Sequence, residues 1–128
     1  ATPPTTVLRE ATGAGRLVAT LEKADVARLA QAGWKAPTPI RMKARDGKTD
    51  IYGLMYTPTN LDSTKKYPII NHIYPGPQSG SVGTRAFVAA RGDNQAVAEL
   101  GFVVVEIDGM GAPGGAKAFH DAYYGRVG

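Results

Sequence analysis

At 128 residues the chain is long enough for one ordinary domain with a single core. The absence of cysteine excludes disulfides and thiolate metal sites, and the lack of any long apolar run excludes a membrane-spanning helix. The net charge of +4 comes from scattered residues, the densest cluster being Lys65-Lys66, with no aromatics interleaved, so neither a nucleic-acid surface nor a membrane is expected as a partner.

No signal-peptide pattern opens the chain, and its Pro/Thr-rich start, Ala1–Thr6, is expected of a piece trimmed from something longer. Val7–Glu10 and Leu17–Leu21 read as two short strands around the turn Thr12–Gly15. A lone hairpin is marginal in water, so this pair needs more sheet to lean on. Asp25 is placed to cap a short helix over Val26–Ala32, Gly33 to end it and Trp34 to anchor its end. Pro37-Thr38-Pro39 is a stiff joint and a boundary. After it, Ile40–Ala44 and Ile51–Thr57 form the arms of a hairpin turning at Asp46-Gly47. The second arm has little polar face, which predicts a position inside a sheet with one edge given to the first arm. Pro58–Lys66 is a polar loop.

The stretch Tyr67–Pro77 reads as a buried strand, rich in β-branched residues, that runs to Tyr74 and stops at Pro75-Gly76-Pro77. Gln78–Thr84 is a small, polar surface loop, and Phe87–Ala90 can start a helix. Asp93 is expected to cap a firmer helix with Ala96, Val97 and Leu100 on its inner face and Gly101 as its stop. Phe102–Asp108 is almost wholly apolar, as a strand buried on both faces would be. Gly109–Gly115 is a glycine-rich loop, and Ala116–Tyr124 opens a further helix. The fold class is therefore α/β: a hairpin feeding a sheet that includes a βαβ unit. That sheet is incomplete, because parallel strands need cover on both faces. Self-association through the uncovered surface is an expected consequence.

The chemistry is sparse. No Gly-x-Ser-x-Gly occurs, and Ser63, Ser79 and Ser81 all lie in loops. A triad of Ser79 or Ser81 with His72 and Asp108 would need the loop to fold back over a mid-strand histidine, and a buried, hydrogen-bonded structural role for His72 is the better reading. His72 and His120 are too isolated to make a metal site. Gly109, Gly111 and Gly114 match Gly-x-Gly-x-x-Gly, but Pro113 removes one amide and Asp108 stands in front, so a structural turn is preferred to a phosphate cradle. No cofactor is expected. Asp108 is read as a cap for the amides of that glycine loop, and Tyr74, from its own chemistry, as a packed aromatic.

The order of motifs says more than any one of them. Lys65-Lys66-Tyr67-Pro68, Tyr74-Pro75-Gly76-Pro77, Asp93–Val104, Asp108-Gly109-Met110-Gly111 and Lys117–Asp121, with Asp46–Thr49 and Tyr52–Pro58 upstream, resemble the prolyl oligopeptidase family of serine peptidases, in its dipeptidyl peptidase IV-like branch. The resemblance runs from about Pro37 to Gly125, and more loosely over Val7–Trp34. It implies an α/β-hydrolase domain preceded by a β-propeller. Residues 1–36 would be the end of the propeller and a linker helix. Residues 37–128 would be the N-terminal part of the catalytic domain, truncated before the nucleophile. It also implies that the Tyr74 hydroxyl serves the oxyanion hole, while the catalytic serine, acid and histidine lie elsewhere. On this basis the parent hydrolyses short peptides through an acyl-enzyme, and these residues alone are inactive. Two positions depart from the pattern: Met110 stands where the family commonly has Arg, and Pro75 where a small residue is frequent. The alternatives are an esterase or acyl-transfer hydrolase of the same fold, and a non-catalytic self-associating domain. Compartment is left open, periplasmic or secreted being compatible.

Overall fold

The computed structural model describes residues 2–74, 76–83 and 86–125. Its contacts divide the chain into two units, Ala1–Lys35 with Ala86–Ala89, and Ala36–Arg85 with Ala90–Gly128.

The first unit holds β1 (Thr5–Arg9), β2 (Leu17–Lys23) and α1 (Ala27–Gln31). The two strands pair antiparallel with irregular register, and every residue in them is exposed. Asp25 Oδ1 accepts the Ala27 N–H at 2.8 Å, as its position before the helix suggests. Gly33 takes φ +79°, and its N–H and that of Trp34 return to the carbonyls of Ala30 and Leu29, closing the helix. Trp34 meets Phe87 edge-on at 5.6 Å, and its Nε1–H donates to the Ala89 carbonyl at 2.8 Å. The expected helix at Phe87–Ala90 does not form: Phe87 is irregular backbone packed on that indole.

The second unit is built on β3 (Thr38–Lys43), β4 (Asp50–Tyr56), β5 (Ile69–His72) and β6 (Val103–Asp108), in the order β3-β4-β6-β5. β3 and β4 are the expected hairpin. Both Lys48 and Thr49 donate their N–H to Asp46 Oδ1 at 2.8 Å, and Gly47 takes φ +68°. Asp50 opens β4 opposite Lys43 and bonds Arg41 at 2.5 Å and Lys43 at 2.8 Å. The hydrogen bonds from Arg41 and then Lys43 hold its carboxyl down to about 2. β4 lies inside the sheet, antiparallel to β3 and to β6, as its lack of a polar face predicts. β5 runs parallel to β6, so β5, α2 (Asn94–Glu99) and β6 make the βαβ unit.

Leu54, Tyr56, Val82, Ala98 and Val104 form the core, with Val97 and Phe102 packed against it. Several details depart from expectation. β5 is an edge strand among the described residues, with Ile69 70% and Ile70 36% exposed; its apolar run reads as buried in sequence, yet only β6 pairs with it. Its ladder stops at His72 opposite Glu106, two residues short of Tyr74. β6 buries one face, through Val104 and Glu106, while Val103, Val105 and Ile107 are half-buried. The inner face of α2 carries Asn94 and Ala98, not Ala96 and Leu100; Leu100 is 77% exposed. Asp93 precedes α2 but makes no capping hydrogen bond, and Gly101 ends the helix at φ +99°. The final helix is only Lys117–His120 (α3), followed by a single 3-10 turn at Asp121–Tyr123.

Candidate functional site

The carboxyl ends of the parallel strands β5 and β6 face the same side, which is where open α/β sheets collect functional groups. Tyr74 lies there. It is 68% exposed and lies outside the core. With the ladder ended, its main chain is held by another bond: its N–H donates to Ser81 Oγ at 2.8 Å. Beyond it, Gly76 and Ser79 exchange hydrogen bonds of 3.1 and 3.2 Å across a tight Pro77-Gln78 turn. Pro75, the residue expected to stop the strand, lies outside the described residues. The Nε2–H of His120 donates to the Pro77 carbonyl at 2.9 Å, tying that turn to α3. A cleft of about 720 Å³ opens beside it, lined among others by Ile73, Pro77, Met110, Tyr123 and Tyr124. Its walls are mainly apolar, which suits an apolar group.

Asp108, at the end of β6, is the second group at this end. Its carboxylate does not cap the loop that follows it, as its position suggests. It turns to the other loop and accepts the N–H of Ser81 on Oδ1, and that of Val82 at 3.1 Å on Oδ2. Two amides of the Gly109–Gly115 loop are taken within the protein: Gly111 N–H bonds the Phe119 carbonyl at 2.8 Å and Ala112 N–H that of Gly109 at 3.2 Å. With those amides occupied and only a four-residue helix behind it, the loop is a turn, not a phosphate cradle.

His72, Ser81 and Asp108 do not assemble into a triad. Ser81 Oγ accepts from Tyr74, Asp108 accepts from backbone, and His72 is engaged by Asn94. Its Nδ1 is hydrogen-bonded to the Asn94 side-chain amide. Glu106 Oε1 is 3.9 Å from the same nitrogen. The histidine is hydrogen-bonded, as expected, but its side chain is 50% exposed because it sits on the sheet edge. Tyr56 donates to Glu106 Oε2 at 2.9 Å and completes a polar group within the core. The sequence reading missed this group; its signal was the carboxylate of Glu106 inside an apolar strand.

Burial pushes the Tyr56 phenol up to about 12; the Asn94 amide opposes that shift and the Glu106 carboxylate reinforces it. The folded phenol thus keeps its proton to a higher pH than the unfolded one. Its contribution to stability is intact below a pH of about 10 and is lost as pH rises toward about 12. Urea unfolding over that range will show a steeper alkaline decline in the parent than in Tyr56→Phe. Parallel curves for the two proteins would contradict this assignment.

With this geometry in view, the relatives can be named. No family model matches the chain. Human dipeptidyl peptidase 8 is 36% identical over 78 residues, which is 61% of this chain and 9% of that protein. A Bacteroides ovatus structure described as a dipeptidyl aminopeptidase IV superposes with a TM-score of 0.69 at 28% identity, covering 86% of this chain and 15% of that one. Porphyromonas gingivalis dipeptidyl peptidase 4 gives a TM-score of 0.70 at 22% identity, covering 96% and 17%. The proteins this chain is similar to are thus peptidases. More narrowly, they are dipeptidyl peptidases, and the structures it matches are dipeptidyl peptidase IV-like, in agreement with the order of its motifs. The chain spans less than a tenth of the length of the curated relatives it matches. No described helix is long and apolar enough to cross a membrane.

Proposed function

We propose that these residues belong to a serine peptidase that removes dipeptides from short peptides, and that Tyr74 donates its hydroxyl to the oxyanion of the acyl-transfer transition state. On this reading residues 1–36 finish a β-propeller and its linker, and residues 37–128 open the α/β-hydrolase domain. The nucleophile, its histidine and its acid come from other parts of the protein, since Ser81, His72 and Asp108 are each engaged elsewhere. The observation that carries the reading is the placement of Tyr74. An exposed tyrosine stands beyond the carboxyl end of a parallel strand, fixed at its amide and next in the chain to Ile73, which lines an apolar cleft. Such a donor stabilises charge on a carbonyl oxygen without reorganising when the charge appears. The serine would attack, the histidine would carry its proton to the leaving amine, and the phenol would hold the oxygen throughout.

The test uses the full-length protein carrying this chain, a fluorophosphonate probe, and matched dipeptidyl-amide and ester substrates. Labelling of a single serine, with release of dipeptides from peptide N-termini, is expected. Turnover of the esters alone, or no labelled serine, would remove the peptidase assignment.

A further inference from the structure

If Tyr74 is the oxyanion donor, something must fix it, because the sheet does not. The last ladder residue of β5 is His72, and β5 is itself an edge strand among the described residues. We propose that Asp108 and Ser81 are positioning residues for Tyr74, a role that rests on the oxyanion reading above.

The connection runs through three links. Asp108 ends β6 and pairs with Tyr52 of β4, so the sheet fixes its main chain. Its carboxylate then grips the loop by two successive amides, Ser81 N–H on Oδ1 and Val82 N–H at 3.1 Å on Oδ2 and 3.3 Å on Oδ1. The same loop is pinned on its far side, where the Val82 side chain is only 2% exposed within the core and Arg91 donates to the Val82 carbonyl at 3.1 Å. Finally, the fixed loop presents Ser81 Oγ to the Tyr74 N–H at 2.8 Å. The rigidity of β6 thereby reaches the residue that its ladder does not reach.

Two features suit this role more than general packing. Both carboxylate oxygens accept, so the charge is used in full; an amide would keep one acceptor and turn an N–H₂ group against a backbone donor. The loop also closes onto the carboxylate at Gly80, where an added Cβ would lie 2.8 Å from Asp108 Oδ2. Only a residue without a side chain allows that approach, and the approach brings Ser81 to Tyr74.

The test is steady-state kinetics on the full-length peptidase with a dipeptidyl-amide substrate. Ser81→Ala removes the acceptor and leaves the fold. It should lower kcat about tenfold with KM nearly unchanged, because a displaced donor is felt only in the transition state. Ser81→Thr keeps the hydroxyl and should restore most of the rate. Asp108→Asn should cost more than Ser81→Ala, and Ser81→Ala carries the test if that variant does not fold. In a Tyr74→Phe background Ser81→Ala should have no further effect. Equal losses in both backgrounds, or an unchanged kcat in Ser81→Ala, would overturn the positioning role while leaving Tyr74 as donor. A Tyr74→Phe enzyme with full kcat would instead overturn the oxyanion reading, and the positioning role with it. Amide exchange at Tyr74 gives a second readout, and it should quicken in Ser81→Ala.

Discussion

Tyr74→Phe is expected to lower kcat on peptide amides by about 10²- to 10³-fold while moving KM little, the loss typical of one oxyanion donor. The change removes one oxygen and keeps the ring. Because Tyr74 is 68% exposed, little packing depends on that oxygen, and the unfolding midpoint should stay within error of the parent. The split between kcat and KM decides the matter. A tyrosine that merely lined a substrate pocket would raise KM and spare kcat, since its contact would be as strong in the ground state as in the transition state. A loss of less than about threefold in kcat would mean that the carbonyl oxygen finds its donors elsewhere. The experiment needs the full-length enzyme, assayed with saturating and subsaturating substrate and checked by thermal unfolding.

The fold was legible wherever the signal is local. Asp46-Gly47 between two β-rich arms can hardly be anything but a hairpin turn, and the aspartate accepts the two amides that such a turn leaves open. The apolar second arm reads as an interior strand, and β4 is one. Gly101 marks the end of α2 because only a glycine takes φ +99° there cheaply. Much of what failed depends on a distant partner. Ile69, Ile70 and Ile73 look the same in sequence whether or not a neighbour covers them, so the exposure of β5 could not be read. Asn94 on the inner face of α2 breaks the apolar pattern, and it is stable there because it bonds His72, 22 residues earlier in the chain. Asp108 looks like a cap for the glycines beside it, but the amides it accepts belong to Ser81 and Val82, 27 and 26 residues away.

The candidate site divides in the same way. Tyr74 was singled out by the order of short motifs, since its own residue chemistry describes any packed tyrosine. Its geometry supplies what the motifs lack, namely an exposed phenol on an amide that a side chain holds. The polar group of His72, Asn94, Glu106 and Tyr56 lies two residues earlier along the same strands. It ties β4, β5, β6 and α2 together through bonds that need each member in place. Such a group fixes which residues of β5 face inward, and therefore which way Tyr74 projects two residues later.

Gly53→Ala is expected to be the most damaging single methyl group in the chain's sheet, costing about 3 kcal/mol in urea unfolding. Gly53 sits in β4 between β3 and β6, paired with Ile40 on one side and Ile107 on the other. A Cβ there would lie 2.4 Å from the Glu106 carbonyl oxygen, 3.1 Å from Ile40 Cγ1 and 3.2 Å from Ile107 Cγ1. The isoleucine ends can swing aside. The carbonyl cannot, because it belongs to the backbone of a strand paired on both sides and buried at 6% exposure. Moving it would also shift the Glu106 carboxylate from Tyr56, so the strain spreads into the polar group. Gly47→Ala in the turn of the same hairpin provides the comparison. Nothing lies within 4 Å of its Cβ position, and only its φ of +68° resists substitution, at a cost of about 1 kcal/mol. The ordering of the two variants isolates space from backbone strain. If Gly53→Ala proves no more costly than Gly47→Ala, β4 and β6 can part locally, and the sheet end that carries Asp108 is softer than its pairing implies.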